Sequence, residues 1–242
     1  MRREYHKWWS PNLNRNMELL IFGHAGAKVL VFPTRTGRFF EYENLGLVDS
    51  IADKINAGQL QLYCVDSVDT ESMYCFWAHP FGRMHRHCQY EEYILREVLP
   101  LMASKNSHPC TISHGCSLGA YHAATLFFRH PHLFQKLVAF SGRYDLTWST
   151  ESFKDLFDGL YNDEIYYHTP THFLPGLPPS DQLTQIKNSD IVFAIGKEDP
   201  FLQNNHQLSQ ILNQKGIQHR MYEWEGRAHR GRYWRQMLPL YL

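Results

Sequence analysis

The chain has no usable cysteine pattern: Cys64, Cys75, Cys88, Cys110 and Cys116 are odd in number and include no C-x-x-C pair. This argues against a disulfide framework or a cysteine-held zinc site and fits reduced thiols in a cytoplasmic protein. An excess of either charge is also missing, since 24 Lys+Arg balance 24 Asp+Glu. No overall field therefore recruits nucleic acid or an anionic membrane. Long uncharged apolar runs are absent, and the basic opening MRREYHKWWSPNLNRN is followed by no apolar segment, so the expectation is a protein that neither spans a membrane nor is exported. There is no internal repeat, low-complexity tract or Ser/Gly-rich linker. What is present is 242 residues with 43% hydrophobic and 14% aromatic content, enough for one α/β domain over 1–242. A small molecule is the expected partner, and the sequence leaves self-association open.

Strand-like and helix-like runs alternate. MELLIFG and AKVLVFPT flank the turn HAG and read as an antiparallel pair entering a sheet. NLGLVDSIADKINAG has helical spacing ending on Gly58, and LQLYCVDS reads as the next strand. QYEEYILREVLPLMAS puts Ile94, Leu95, Val98, Leu99, Leu101 and Met102 on one broad helical face. HPCTISHG, LFQKLVAFSG, DIVFAIGKEDP and QHRMYEWEG are further strands, with helices at SLGAYHAATLFFRHP, FLQNNHQLSQILNQKG and RYWRQMLPLYL. Such alternation predicts a mostly parallel sheet covered by helices on both faces, with ligands at the carboxyl ends of the strands. Residues 143–180 break the rhythm, being rich in proline and aromatics without a clean period, and are read as an irregular insertion that supplies part of a substrate pocket.

Gly115-Cys116-Ser117-Leu118-Gly119 matches G-x-S-x-G, a sharp strand-to-helix turn that lifts a serine hydroxyl clear of the sheet. Alone the pentamer is a weak signal; here a strand-like run precedes it and a helical run follows. A serine hydroxyl needs an imidazole to take its proton, and the imidazole needs a carboxylate to hold its tautomer. Asp199, just past the strand of DIVFAIGKEDP, and His229, in the loop after the last strand, follow Ser117 in the order serine, acid, histidine. Asp145, after the preceding strand, is the competing acid. Cys116 at the second position of the turn reads as a small buried filler. The histidines of RMHRHC, RHPH and HTPTH carry no H-E-x-x-H spacing, so no metal is expected. RAHRGRYWR reads as a solvated face, with Arg227, Arg230 or Arg232 alternatively favouring a negatively charged substrate.

Beyond the turn, the segments ELLIFGHAGAKVLVFPT, YCVDSVDTESMY, QYEEYILREVLP, GCSLGAYHAA and HRGRYWRQMLPLYL together resemble the putative-esterase family of α/β-hydrolases. That family includes S-formylglutathione hydrolase (esterase D), feruloyl esterases and mycolyltransferases. The resemblance runs over essentially the whole chain and implies an α/β-hydrolase fold. It also implies a cofactor-independent serine esterase that cleaves small acyl esters or thioesters through an acyl-enzyme on Ser117, with Asp199 and His229 as partners. The oxyanion donors it implies are the backbone N–H of Leu118 and one from the loop TRTGRFFEYEN, placed at Arg35 with Thr36 next. Relatives often carry glycine at the start of that loop, where Thr34-Arg35-Thr36 stands here, and an acidic or aromatic residue after the histidine, where Arg230 stands. Two alternatives accompany this reading: an acyltransferase using the same intermediate, and a hydrolase-fold binding protein with little turnover.

Overall fold

A computed structural model describes residues 1–150 and 152–242. Its eight strands are β1 (Arg3–Ser10), β2 (Arg15–Phe22), β3 (Ala27–Phe32), β4 (Leu60–Val65), β5 (Thr111–Cys116), β6 (Lys136–Phe140), β7 (Asp190–Gly196) and β8 (Arg220–Trp224). They form one sheet in the order β1-β2-β4-β3-β5-β6-β7-β8. From β4 to β8 every neighbouring pair is parallel, whereas β1–β2 and β2–β4 are antiparallel. This is the mostly parallel sheet expected from the alternation, in the α/β-hydrolase arrangement that the family resemblance implies.

The antiparallel partner assigned to MELLIFG needs correcting. β2 does not pair with β3; it lies between β1 and β4, and β3 is two places away, between β4 and β5. The reason is the opening segment. REYHKWWS folds back on β2 across residues 11–14, pairing Arg3 with Phe22 and Ser10 with Arg15. Its side chains alternate between exposed and half-buried, as an edge strand's do.

Alternate residues of each central strand face opposite layers. Leu30, Phe32, Tyr63, Val65, Leu137, Ala139, Ile191 and Phe193 share one core with α4 (Pro80–Tyr93), α5 (Leu99–Lys105) and α6 (Leu118–Arg129). The other face, with Val29, Val31, Leu62, Cys64, Val138, Phe140, Val192 and Ala194, packs elsewhere. Its cover is three short helices before β4 and a C-terminal helix.

Those three are α1 (Glu41–Asn44), α2 (Leu47–Ser50) and α3 (Ala52–Asn56), so the single helix expected over NLGLVDSIADKINAG is broken, with Gly46 at φ 67° and Ile51 off helical geometry. Buried Leu47, Val48, Ile51 and Ile55 still give the segment one apolar face, which is why its periodicity reads as continuous. The helix predicted from QYEEYILREVLPLMAS begins nine residues earlier, at Pro80, and joins α5 through a π-helical turn, Ile94–Val98. Pro100 removes a backbone donor there, a common setting for a local change of helical period. Ile94, Val98 and Met102 of its predicted face are fully buried.

The insertion at 143–180 is irregular up to Asn162 and then forms α7 (Asp163–Tyr167) and α8 (Pro170–Gly176). Leu146, Leu156, Phe157 and Ile165 anchor it on Met84, Leu118 and Tyr121. The remaining helices are α9 (Asp181–Lys187), α10 (Leu202–Gln214) and α11 (Gly231–Tyr241), the last being the C-terminal cover of the second face. Among the described residues no helix is long and apolar enough to cross a membrane.

Candidate active site

β5 delivers Ser117 at its carboxyl end, where the chain turns directly into α6. Ser117 has φ 56° and ψ −121°, a region that non-glycine residues occupy only when their surroundings force them. Two contacts force it: its N–H donates to the Phe140 carbonyl at 2.8 Å, and Gly119 lies so close to the Phe32 and Pro33 carbonyls that a Cβ would collide with them. A Cβ on Gly115 would likewise strike the backbone of Gly119. The two glycines thus let α6 start against the ends of β3 and β5, leaving the Ser117 hydroxyl at the rim of the sheet.

Ser117, His229 and Asp199 meet although they come from three different loops. His229 Nε2 is 2.9 Å from Ser117 Oγ, and His229 Nδ1 is 2.7 Å from Asp199 Oδ2. A carboxylate only accepts, so Nδ1 carries the proton and Nε2 is left to accept the Ser117 O–H. Asp199 is buried, and its other oxygen accepts the Phe201 N–H at 2.9 Å. The His229 ring packs against Trp234 and Phe201, with centroids 5.6 and 6.2 Å away. An imidazole held this way can take the serine proton without reorienting.

Asp145, the competing acid, is committed elsewhere. Its Oδ1 accepts from the Thr147 N–H and hydroxyl and the Trp148 N–H, and its Oδ2 faces His172 Nε2 at 3.1 Å. Burial pushes its pKa up, but the bonds from His172 and Thr147 prevail and hold it below the usual aspartate range.

Two residues that line the cavity with Ser117, Leu118 and Arg35, have backbone N–H groups with no acceptor among the described residues. Thr36, the alternative to Arg35, gives its N–H to Asp69 Oδ2 at 2.9 Å. It sits at φ 57°, and this bond helps to hold it there. Asp69 Oδ1 in turn lies 3.2 Å from buried His122 Nε2. On the other side of the loop, Glu41 accepts from the Thr34 N–H at 2.7 Å and its hydroxyl at 2.6 Å. Two carboxylates therefore brace Thr34 and Thr36 while leaving the N–H between them open.

The cavity above Ser117 has a volume of about 290 Å³. Its walls include Tyr74, Arg143, Phe153, Phe201, Arg227 and Trp234 besides the residues already described. Arg143 and Phe153 come from the irregular insertion, as expected. Of the three arginines singled out in RAHRGRYWR, only Arg227 reaches this wall; Arg232 instead stacks on Tyr233. Sequence reasoning missed Tyr74, Phe201 and Trp234, which sit in loops or helix starts where no periodicity flags them. It also missed Gly196, whose approach to the carbonyls of Gly226 and Arg227 leaves no room for a Cβ and brings the Asp199 loop against the His229 loop.

Cys116 behaves as a filler: it is fully buried, its Sγ lies 3.2 Å from the Tyr42 hydroxyl, and burial pushes its thiol pKa far up. The histidines His130 and His168 both bond to Glu91, at 3.0 and 3.2 Å, well away from Ser117's partners.

Residues 46–240 match the family described as "Putative esterase". Among solved structures, a ferulic acid esterase superposes with a TM-score of 0.75 at 15% identity, covering 98% of this chain and 95% of that one. An S-formylglutathione hydrolase from Staphylococcus aureus gives 0.71 at 18% identity, covering 98% and 94%. MPT51 (FbpC1) of Mycobacterium tuberculosis gives 0.69 at 14% identity, covering 99% and 96%. At these identities the superpositions establish the fold. No curated protein matches the chain by sequence.

Proposed function

The chain belongs to the putative-esterase family, an ester-hydrolase family of α/β-hydrolase fold, and on that premise we propose that it is a serine hydrolase of carboxylic esters or thioesters working through an acyl-enzyme on Ser117. The observation that carries this reading is the unbroken hydrogen-bonded line from Asp199 through His229 to Ser117 at the floor of an open cavity.

In this reading Ser117 Oγ attacks the acyl carbon while His229 Nε2 takes its proton. The imidazolium is stabilised by Asp199, and the tetrahedral oxyanion by the N–H groups of Leu118 and Arg35. Collapse breaks the bond to the leaving oxygen or sulfur, which receives the proton from His229. Water then attacks the acyl-enzyme with His229 again as base, releasing the carboxylic acid and restoring the Ser117 hydroxyl. No cofactor enters any step. The two open N–H groups favour turnover over the binding-protein alternative, because a donor missing there costs about 10²–10³ in rate.

The test is intact mass after exposure to a fluorophosphonate probe, with ester hydrolysis measured in parallel. The native chain is expected to gain one adduct and Ser117→Ala none. Failure of the native chain to label would sink the proposal.

A further inference from the structure

Building on the hydrolase reading, we infer that the substrate carries a second, anionic oxygen group, a carboxylate or phosphate, which Arg143, Arg35 and Arg227 receive beside Ser117. Among the described residues the cavity wall includes these three arginines and no aspartate or glutamate. In a protein whose charges balance overall, that local bias makes the cavity a focus of positive potential.

Arg143 is the built part of the site. It is buried, and its Nε and Nη2 donate to four main-chain carbonyls: Asp145 at 3.1 Å, Leu146 at 3.1 Å, Trp148 at 2.7 Å and Lys154 at 2.8 Å. Neutral carbonyls fix the guanidinium in place without cancelling its charge. Among the described residues no carboxylate lies within ion-pair distance of it, and its Nη1 has no acceptor. Burial pulls its pKa down, yet a guanidinium stays charged in a protein, so the cation is retained at a cost that an incoming anion would offset.

A loop-stapling role accounts for those four bonds, but not for the other two arginines. Arg35 is exposed and lies over Tyr74, its guanidinium carbon 5.4 Å from the ring centre, and Arg227 is an exposed part of the same cavity wall; neither has an ion-pair partner among the described residues. The cleft continues past Tyr74 into a second cavity of about 480 Å³ that shares Arg35, Tyr74, Arg143 and Phe153 with the first. The two carboxylates lining this outer part are engaged: Asp155 accepts the Phe157 and Gly159 N–H groups, and Asp158 pairs with Arg83 at 2.6 Å. Guanidinium forks match the paired oxygens of carboxylate and phosphate, which selects this ligand chemistry over a neutral polar tail.

The experiment separates anion recognition from turnover. Ser117→Ala, which retains the arginines but no nucleophile, is titrated calorimetrically with monomethyl glutarate and with dimethyl glutarate. The monoester is expected to bind about tenfold more tightly, as a hydrogen-bonded charge pair implies. That ratio should shrink severalfold when Arg227→Gln is added and vanish with Arg143→Met. Arg227 is exposed, so its variant keeps the test decisive if loss of Arg143 disturbs the loop. Competition by free glutarate against inorganic phosphate identifies which anion is preferred, and failure of both to compete overturns the inference. Equal binding of the two methyl esters overturns it as well. With the native enzyme, 4-nitrophenyl hemiglutarate should show a kcat/KM about tenfold above that of its neutral methyl ester, falling as salt rises. Hydrolysis of both esters at equal rates rejects the anion site and leaves the hydrolase reading standing. Selective binding by Ser117→Ala with no turnover or labelling of the native chain does the reverse.

Discussion

Gly196 and Arg227 share a space that admits no side chain: a Cβ on Gly196 would fall inside the carbonyl oxygen of Arg227. The same contact is reinforced by the Glu198 N–H donating to the Gly226 carbonyl at 3.0 Å and the Lys197 N–H to the Trp224 carbonyl at 2.8 Å. The separation between Asp199 and His229 is therefore set three residues before the first and two before the second.

Gly196→Ala should consequently harm the site more than the fold. Relief of the clash costs about 1–3 kcal/mol of stability. Displacement of the His229 loop by about an ångström lowers kcat/KM by roughly 10²-fold. Thermal denaturation together with the rate of fluorophosphonate labelling checks this; a variant that loses stability but labels at the native rate contradicts it.

The two candidate acids make opposite predictions. Asp199→Asn removes the acceptor that fixes the His229 tautomer, and kcat should fall by about 10⁴-fold. Asp145→Asn loosens the bonds to Thr147, Trp148 and His172 and should cost about 1–2 kcal/mol of stability, with labelling of Ser117 preserved. Parallel kinetics and urea denaturation of the two variants distinguish them; comparable catalytic losses would reverse the assignment.

Asp69 touches neither hydroxyl nor cavity wall, yet it holds Thr36 at a strained backbone angle beside the open Arg35 N–H. Asp69→Ala should reduce kcat by about 10–10²-fold with little change in KM, since an oxyanion donor acts mainly on the transition state. A rise in KM at unchanged kcat would refute this positioning role.

His114 supplies a pH signature. It is fully buried beneath Ser117, with Nδ1 2.6 Å from the Val138 carbonyl and Nε2 3.1 Å from the Tyr42 hydroxyl. Burial lowers its pKa to about 4, with the Val138 bond opposing. The unfolded chain takes up this proton near pH ~6.5, before the folded one does. The contribution to stability is thus complete above about pH 6.5 and disappears as pH falls toward about 4, a loss of roughly 3 kcal/mol. Buried His87, also shifted down by desolvation, acts in the same direction. Urea denaturation at pH 7 and pH 5 should show a smaller drop for His114→Gln than for the native chain; equal drops would exclude His114 as the source.

The parts of this architecture legible in the sequence are those written locally. Ser117, Asp199 and His229 each follow a β-rich run and precede a helix or turn, so their chain order alone brings them to one edge. The pairing of β2 was not legible, because β1 alternates charged and aromatic residues and its outer face gives no buried stripe. The broken helix over α1–α3 was hidden for the converse reason: its apolar residues keep a helical spacing even though the backbone does not. Arg143 and Tyr74 belong to aperiodic loops, and only the packing of those loops makes them neighbours.

The order of the strands also bears on how the chain reaches this state. β1 and β2 close across four residues, a contact available to the chain almost immediately. β3 and β5 pair at a sequence separation of about 80 residues, and β5 is the strand that ends in Ser117. Closing so long a loop carries an entropic toll that later contacts must offset, which slows folding. Ser117 is held in its strained geometry by contacts from the ends of β3 and β6 as well as from β5 itself, so that geometry is a property of the assembled sheet and is absent from any chain in which these strands are not yet side by side.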